Sequence, residues 1–211
     1  MRNVRIFYEK KGRMKFVSHL DMNRFMSRII AKSKIPVWFT EGFNQHAYMN
    51  FAVPLSLGYV GLYEVMDVKI TDDNFSLSRL IDDLNAVSTP DIRFLKAAES
   101  VMHVKEIAFC EYELLFDEID CDKLSSFFSQ PSIICEKKTK KGGVKDIDIA
   151  PLIKKAEIED NKLTLILTAG NENNLNPSLV MTAFFDYCGI NPLFYEVKRV
   201  MIYNKNLEKF V

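Results

Sequence analysis

Glycine and proline are scarce, eight and seven in 211 residues, which excludes a collagen-like or linker-dominated chain. No apolar run approaches the roughly 18 residues that a bilayer span requires. The opening stretch MRNVRIFYEKKGRMKF has neither an apolar segment nor a small-residue cleavage site, so no secretory signal is expected and a cytoplasmic location is. The four cysteines, Cys110, Cys121, Cys135 and Cys188, form no C-x-x-C pair, so their spacing supports neither a zinc site nor a disulfide framework. Also missing are a Walker A loop, a dinucleotide-binding glycine fingerprint, an H-E-x-x-H helix and a nucleophile elbow.

What is present is a 48% hydrophobic chain, long enough to bury one large core or two small ones. Its net charge of zero conceals a segregation. Residues 1–48 carry ten Lys/Arg against three Asp/Glu; residues 49–136 carry six against sixteen; residues 137–211 carry twelve against nine. The first segment therefore presents a basic surface that suits an anionic partner as well as solvent.

Alternation and β-branched content predict a strand over 3–9. Ser18 followed by Asp21 resembles a capping box and opens a helix that ends before Pro36. Met22, Phe25, Met26, Ile29 and Ile30 share one face of it, and Arg24, Arg28 and Lys32 form a basic stripe beside them. Strands are expected over 36–41, 62–70 and 91–99, and a helix over 76–87. Within 62–70 the alternation makes Glu64 the odd member of an apolar face. The order is β-α-β-β-α-β, the ferredoxin-like plan. Strands over 109–116, 132–138, 162–168 and 193–203, with helices over 121–129 and 177–188, repeat it loosely. The expected fold is α+β: two tandem ferredoxin-like halves with antiparallel sheets, residues 1–105 and 106–211.

Three histidines limit where chemistry can sit. His103 reads as a surface residue between the halves. His19 stands among Ser18, Asp21 and Arg24, and His46 among Glu41 and Asn44 in the loop EGFNQHAYMNF. Helix capping and a loop turn account for these clusters without ligand. A shared polar site at one end of the sheet is the sharper expectation, with His19 and His46 as catalytic candidates and Ser18, Asp21, Arg24, Glu41 and Asn44 as ligand-binding ones. Phe43, Tyr48 and Phe51 offer stacking faces or core packing. Arg13, Lys15, Arg24, Arg28 and Lys32 are the expected nucleic-acid contacts, Lys10 and Lys11 adding charge in the same turn. The tract 137-KKTKKGGVK-145 is a second basic element. No metal or cofactor is expected, because the spacing of His19, His46 and a carboxylate matches no ligand signature.

The run FVSHLDMNRFMSRII, then FTEGFNQHAYMNFAVPLSLGYVGLYEVMDVKI, resembles the radical-SAM-linked family of bacterial proteins, an uncharacterised family of about this length. Its pattern F-x-S-H-L-D-x-x-R is met by Phe16, Ser18, His19, Leu20, Asp21 and Arg24. Glu41, Gly42, Phe43, Asn44 and His46 follow, then Glu64 and Asp67 of a later E-Y-x-D. Gln45 and Ala47 stand where the family has Pro, which implies a looser loop; Tyr48 stands where it has Lys, which speaks against an anion clamp at that position, and Val65 where it has Tyr. The stretch KDIDIAPLIKKAEIEDNKLTLILTAG extends the resemblance over nearly the whole chain. It implies a radical SAM protein as partner, with any radical chemistry belonging to that partner. The expectation is an accessory, non-catalytic binding protein that presents RNA or another anionic substrate. The alternative is a metal-independent endoribonuclease using His19 or His46 as general base.

Overall fold

The computed structural model describes residues 1–138, 143–170 and 174–211 and has mixed α+β architecture. The chain divides into two compact units, Met1–Ile107 with Lys209–Val211, and Ala108–Glu208. The three residues at 209–211 therefore pack with the first half of the sequence.

The first unit contains β1 (Arg2–Lys10), α1 (His19–Ser33), β2 (Met49–Phe51), β3 (Val60–Ile70), α2 (Leu77–Val87) and β4 (Ile92–Glu99). β1 lies between β4 and β3, and β2 pairs with the other edge of β3, all antiparallel. Ser18 and Ser76 cap the helices, each side chain accepting from the backbone N–H three residues on. Lys34, at φ 55°, ends α1 before Pro36. The period of two sorts β1 and β3 by face. Val4, Ile6, Tyr8, Met66, Val68 and Ile70 pack against Met22, Met26, Ile29 and Ile30 of α1 and Leu80, Ile81 and Leu84 of α2.

The expected strand over 36–41 is not formed. Val37 and Phe39 make only isolated bridges, to Ile70 and Ala47. The chain touches the end of β3, the Trp38 N–H donating to the Lys69 carbonyl at 2.8 Å, and then pairs with its own return. Tyr48 N–H donates to the Trp38 carbonyl at 2.9 Å. The edge of β3 is taken instead by β2, which occupies Met66, Asp67 and Val68.

The other face of this sheet carries Arg5, whose side chain is wholly buried. Its guanidinium grips Asp67 through two bonds of 2.7 and 2.8 Å and donates to Ser100 Oγ, to the Met102 carbonyl and to the Val211 backbone oxygen. The Phe210 ring closes over it at 3.9 Å. All three guanidinium nitrogens thus have acceptors, the arrangement that makes a buried arginine tolerable.

The second unit contains β5 (Ile107–Phe116, starting at the boundary), α3 (Cys121–Phe128), β6 (Ile134–Lys138), β7 (Val144–Asp148), β8 (Ile153–Glu159), β9 (Lys162–Thr168), α4 (Pro177–Cys188) and β10 (Tyr195–Asn204). The order is β10-β5-β9-β8, with β6 and β7 as a separate antiparallel ribbon. Asp120 caps α3; Asn176 caps α4, with Pro177 in its first turn and Gly189 in the left-handed region just past its end. Leu124, Phe127, Val180, Met181 and Phe184 are buried, as are Leu163, Leu165 and Leu167 of β9. The sequence reading omitted β7 and β8. Both carry lysine and acidic residues at exposed positions, so their apolar alternation is thin. The Thr139–Gly142 part of the lysine tract lies outside the described residues.

Candidate functional site

The polar residues at the start of α1 form one network. Ser18 Oγ accepts the Asp21 N–H at 3.1 Å and donates to Asp21 Oδ2 at 2.8 Å, while Arg24 donates to Asp21 Oδ1 at 3.0 Å. The Ser18 hydroxyl, and after it the Arg24 guanidinium, hold the Asp21 carboxyl below the usual carboxylate range. Ser18 thus caps the helix, and Asp21 ties Ser18 to Arg24.

His19 is exposed but turned to the side. Its Nε2 lies 3.1 Å from Asn23 Nδ2, and its ring stands edge-on to Phe51 at 5.3 Å. With Phe51 it borders a cavity of about 20 Å³, room for about one water, whose other walls include Tyr8, Lys10, Met22 and Glu64. Glu64 is 4% exposed, the polar member of the apolar face that the alternation of β3 indicated. It lies opposite Tyr8 in the ladder. Gly61 makes room for it, since a Cβ there would stand 2.5 Å from Glu64 Cγ. Lys10 is 4% exposed and donates to the Val17 carbonyl at 3.1 Å. It is therefore withdrawn from the basic turn where the sequence reading put it.

His46 belongs to a second network, in the turn between Thr40 and Tyr48. Its N–H donates to Thr40 Oγ1 at 3.2 Å, and its Nδ1 lies 3.0 Å from the Asn44 carbonyl and 3.1 Å from Thr40 Oγ1. A carbonyl only accepts, so Nδ1 is the donor in the contact with Asn44. Glu41 and Asn44 are exposed in the same turn. Phe43 is fully exposed at its tip, so the core alternative for that ring is excluded. Phe51 instead packs against the core of the first unit. Tyr48, in the position of the family's Lys, faces a lysine: Lys69 Nζ lies 4.8 Å from its ring and 5.0 Å from that of Trp38.

The basic surface is borne by α1 and the single 3-10 turn before it, Gly12–Phe16. Arg13 and Lys15 belong to that turn. Asp91 holds it in place, its carboxylate accepting the Arg13 N–H at 2.8 Å and its carbonyl the Lys11 N–H at 2.9 Å. Gly12, at φ 53°, presses against the Asp91 carboxylate, where a Cβ would have no room. Lys15 is half-buried with its ammonium 5.3 Å from the exposed Phe16 ring. Arg24, Arg28 and Lys32 are exposed along α1, and among the described residues only Arg24 of these three is in an ion pair.

Local sequence does not mark Lys10 and Tyr8 as cavity walls or Arg5 as the partner of Asp67. The sole available signal was the polar Glu64 on an apolar face. His103 caps the 3-10 turn 104–106, its Nδ1 accepting the Lys105 N–H at 3.1 Å. Among the described residues no group of three or more His, Cys, Asp or Glu is placed to hold a metal ion. Among them also, no helix is long and apolar enough to cross a membrane.

Among curated proteins none matches this sequence. Residues 3–177 match a family described as an uncharacterized protein conserved in bacteria (DUF2344). That span takes in α1, the His46 turn, β3 and all of the second unit as far as the start of α4, and the chain belongs to this bacterial family.

Proposed function

We propose that the chain is an accessory, non-catalytic binding protein that presents an RNA, or another anionic polymer, to a separate radical SAM enzyme. The observation that carries the reading is the exposed row Arg24, Arg28 and Lys32 of α1, in a unit that also exposes the rings of Phe16 and Phe43. Phosphates need cations and unpaired bases need π-faces, and this unit offers both. The radical SAM partner rests on the sequence resemblance alone. Both units are read as ferredoxin-like: leaving out the β6–β7 ribbon, each has four strands in the order fourth, first, third, second, with two helices.

The test is titration of labelled single-stranded RNA at several salt concentrations. Each phosphate contact contributes a counterion-release term, so replacing Arg24, Arg28 and Lys32 together by Ala weakens binding and flattens the salt slope by about two to three. Absence of binding at low salt overturns the reading. The endoribonuclease alternative uses His46 or His19 as general base. Incubation with RNA in EDTA separates the two readings, because strand scission lost on His46→Ala or His19→Ala belongs only to the nuclease. Co-purification with the radical SAM protein from a source organism tests the partner.

A further inference from the structure

The second unit holds a cleft of about 560 Å³ between α3, α4 and β6 that the RNA-binding reading does not use. Four consecutive residues of the β6 segment, 133–136, line it. Side chains of a strand alternate between faces, so four successive residues border one opening only where it meets the strand's edge. Among the described residues β6 is hydrogen-bonded to β7 alone. The Ile149 N–H donates to the Ile133 carbonyl, and Cys135 lies two residues along from that bonded pair, opposite Ile147. In an antiparallel ladder bonded and unbonded pairs alternate, so Ile134 and Glu136 turn their N–H and C=O groups to the free edge.

The chemistry of the walls is one-sided. Glu136 and Asp146 are cross-strand partners, and Asp186 of α4 joins them in the lining. Among the described residues all three are exposed, none is in an ion pair, and no lysine, arginine or histidine lines the cleft. Lys145 is next to Asp146 in the strand and so belongs to the opposite face of the ribbon. The apolar wall is aromatic: Phe127 is buried, Tyr187 lies 5.6 Å from it and is 50% exposed, and Ile134 is 61% exposed.

We propose that this cleft is a docking site for an extended, basic segment of a partner protein, which adds as a strand to the free edge of β6. Side chains two apart share a face, so its alternate Lys or Arg side chains meet Glu136 and Asp146 with Asp186 adding to the negative field, and its apolar ones turn to the opposite face, that of Ile133 and Cys135. Main-chain pairing supplies affinity in this mode, and the alternating side chains supply selectivity. The three carboxylates disfavour a phosphate backbone, so RNA is not the occupant.

The experiment uses the full chain and a short fluorescent peptide alternating lysine and valine, followed by anisotropy at low salt. Binding is expected for this peptide. It is lost when alternate peptide nitrogens are methylated, which keeps the charge and removes the strand edge. Glu136→Gln, Asp146→Asn and Asp186→Asn together weaken it by about tenfold, as three partly exposed pairs would. The same variant keeps its RNA affinity, which reports that the chain is folded and that the two surfaces are separate. Equal binding of a glutamate–valine peptide, no effect of N-methylation, or no binding of the lysine–valine peptide each overturns the proposal. Hydrogen exchange gives a second readout: the Ile134 and Glu136 amides gain protection on peptide addition, and unchanged exchange there overturns the edge-pairing.

Discussion

The two units share a strand order but differ in what they bury. The first hides more charge: Arg5, Lys10 and Glu64 are all nearly inaccessible, where among the described residues the second hides Arg199. The second builds its helical layer from aromatic rings, Phe127 standing 5.1 Å from Phe128, 5.5 Å from Phe184 and 5.6 Å from Tyr187. Its elaborations differ in kind as well. The first inserts a bridged turn between α1 and β2; the second inserts a whole ribbon between α3 and β8. A polar core demands partners at fixed distances, so the first unit is specified by individual bonds. An apolar one tolerates substitution that conserves volume. The basic surface belongs to the more exactingly specified unit.

The largest effect is expected in the aromatic layer. Phe127→Ala removes a ring that is 1% exposed and costs about 4 kcal/mol in the second unit, read by urea denaturation. RNA affinity below the transition stays unchanged; a parallel loss of RNA binding breaks the separation drawn here. Arg5→Ala leaves Asp67 without its two bonds and the 209–211 segment without one of its anchors, and costs about 3 kcal/mol in the first unit. Hydrogen exchange resolved by residue then shows β1 and β3 losing protection while β9 keeps it. Gly61→Ala forces Glu64 aside and costs about 2 kcal/mol by overpacking, with α1 loosened and the second unit unaffected by the same exchange measurement.

The smallest effect is a pH dependence in the second unit. Burial, and then the hydrogen bond to Glu111, push the Tyr203 phenol up to about 12. A raised folded value means that the fold favours the protonated phenol. Its contribution is complete below the ordinary tyrosine value of 10.0 and is lost as pH rises from there through about 12. Tyr203→Phe removes this slope from stability measured across the alkaline range, and phenolate absorbance shows one residue fewer among the late-titrating tyrosines.

The helices were legible because their ends are written in side chains. Ser18 and Asp21 announce the start of α1, and Pro177 with Gly189 bracket α4. The stretch PVWFTE was misleading because it is apolar and β-branched, while the competition that excludes it from the sheet is tertiary: β2 holds the edge of β3. β7 and β8 were hidden by their own charges. For the site, the Ser18–Asp21–Arg24 set was legible as local spacing. The role of Asp67 was not, since Arg5 lies 62 residues away in sequence. Lys10 was misread because its burial follows from strand register, which local charge does not report.

The Arg5 fork also orders events during synthesis. Its last acceptor is the Val211 backbone oxygen, 206 residues further along the chain. At ordinary translation rates that acceptor is made roughly 10–40 s after Arg5 itself. Throughout that interval the first unit holds an arginine whose socket lacks the Phe210 lid and one oxygen. The second unit, whose residues are contiguous, needs no such wait. The half that is translated first is thus the half completed last.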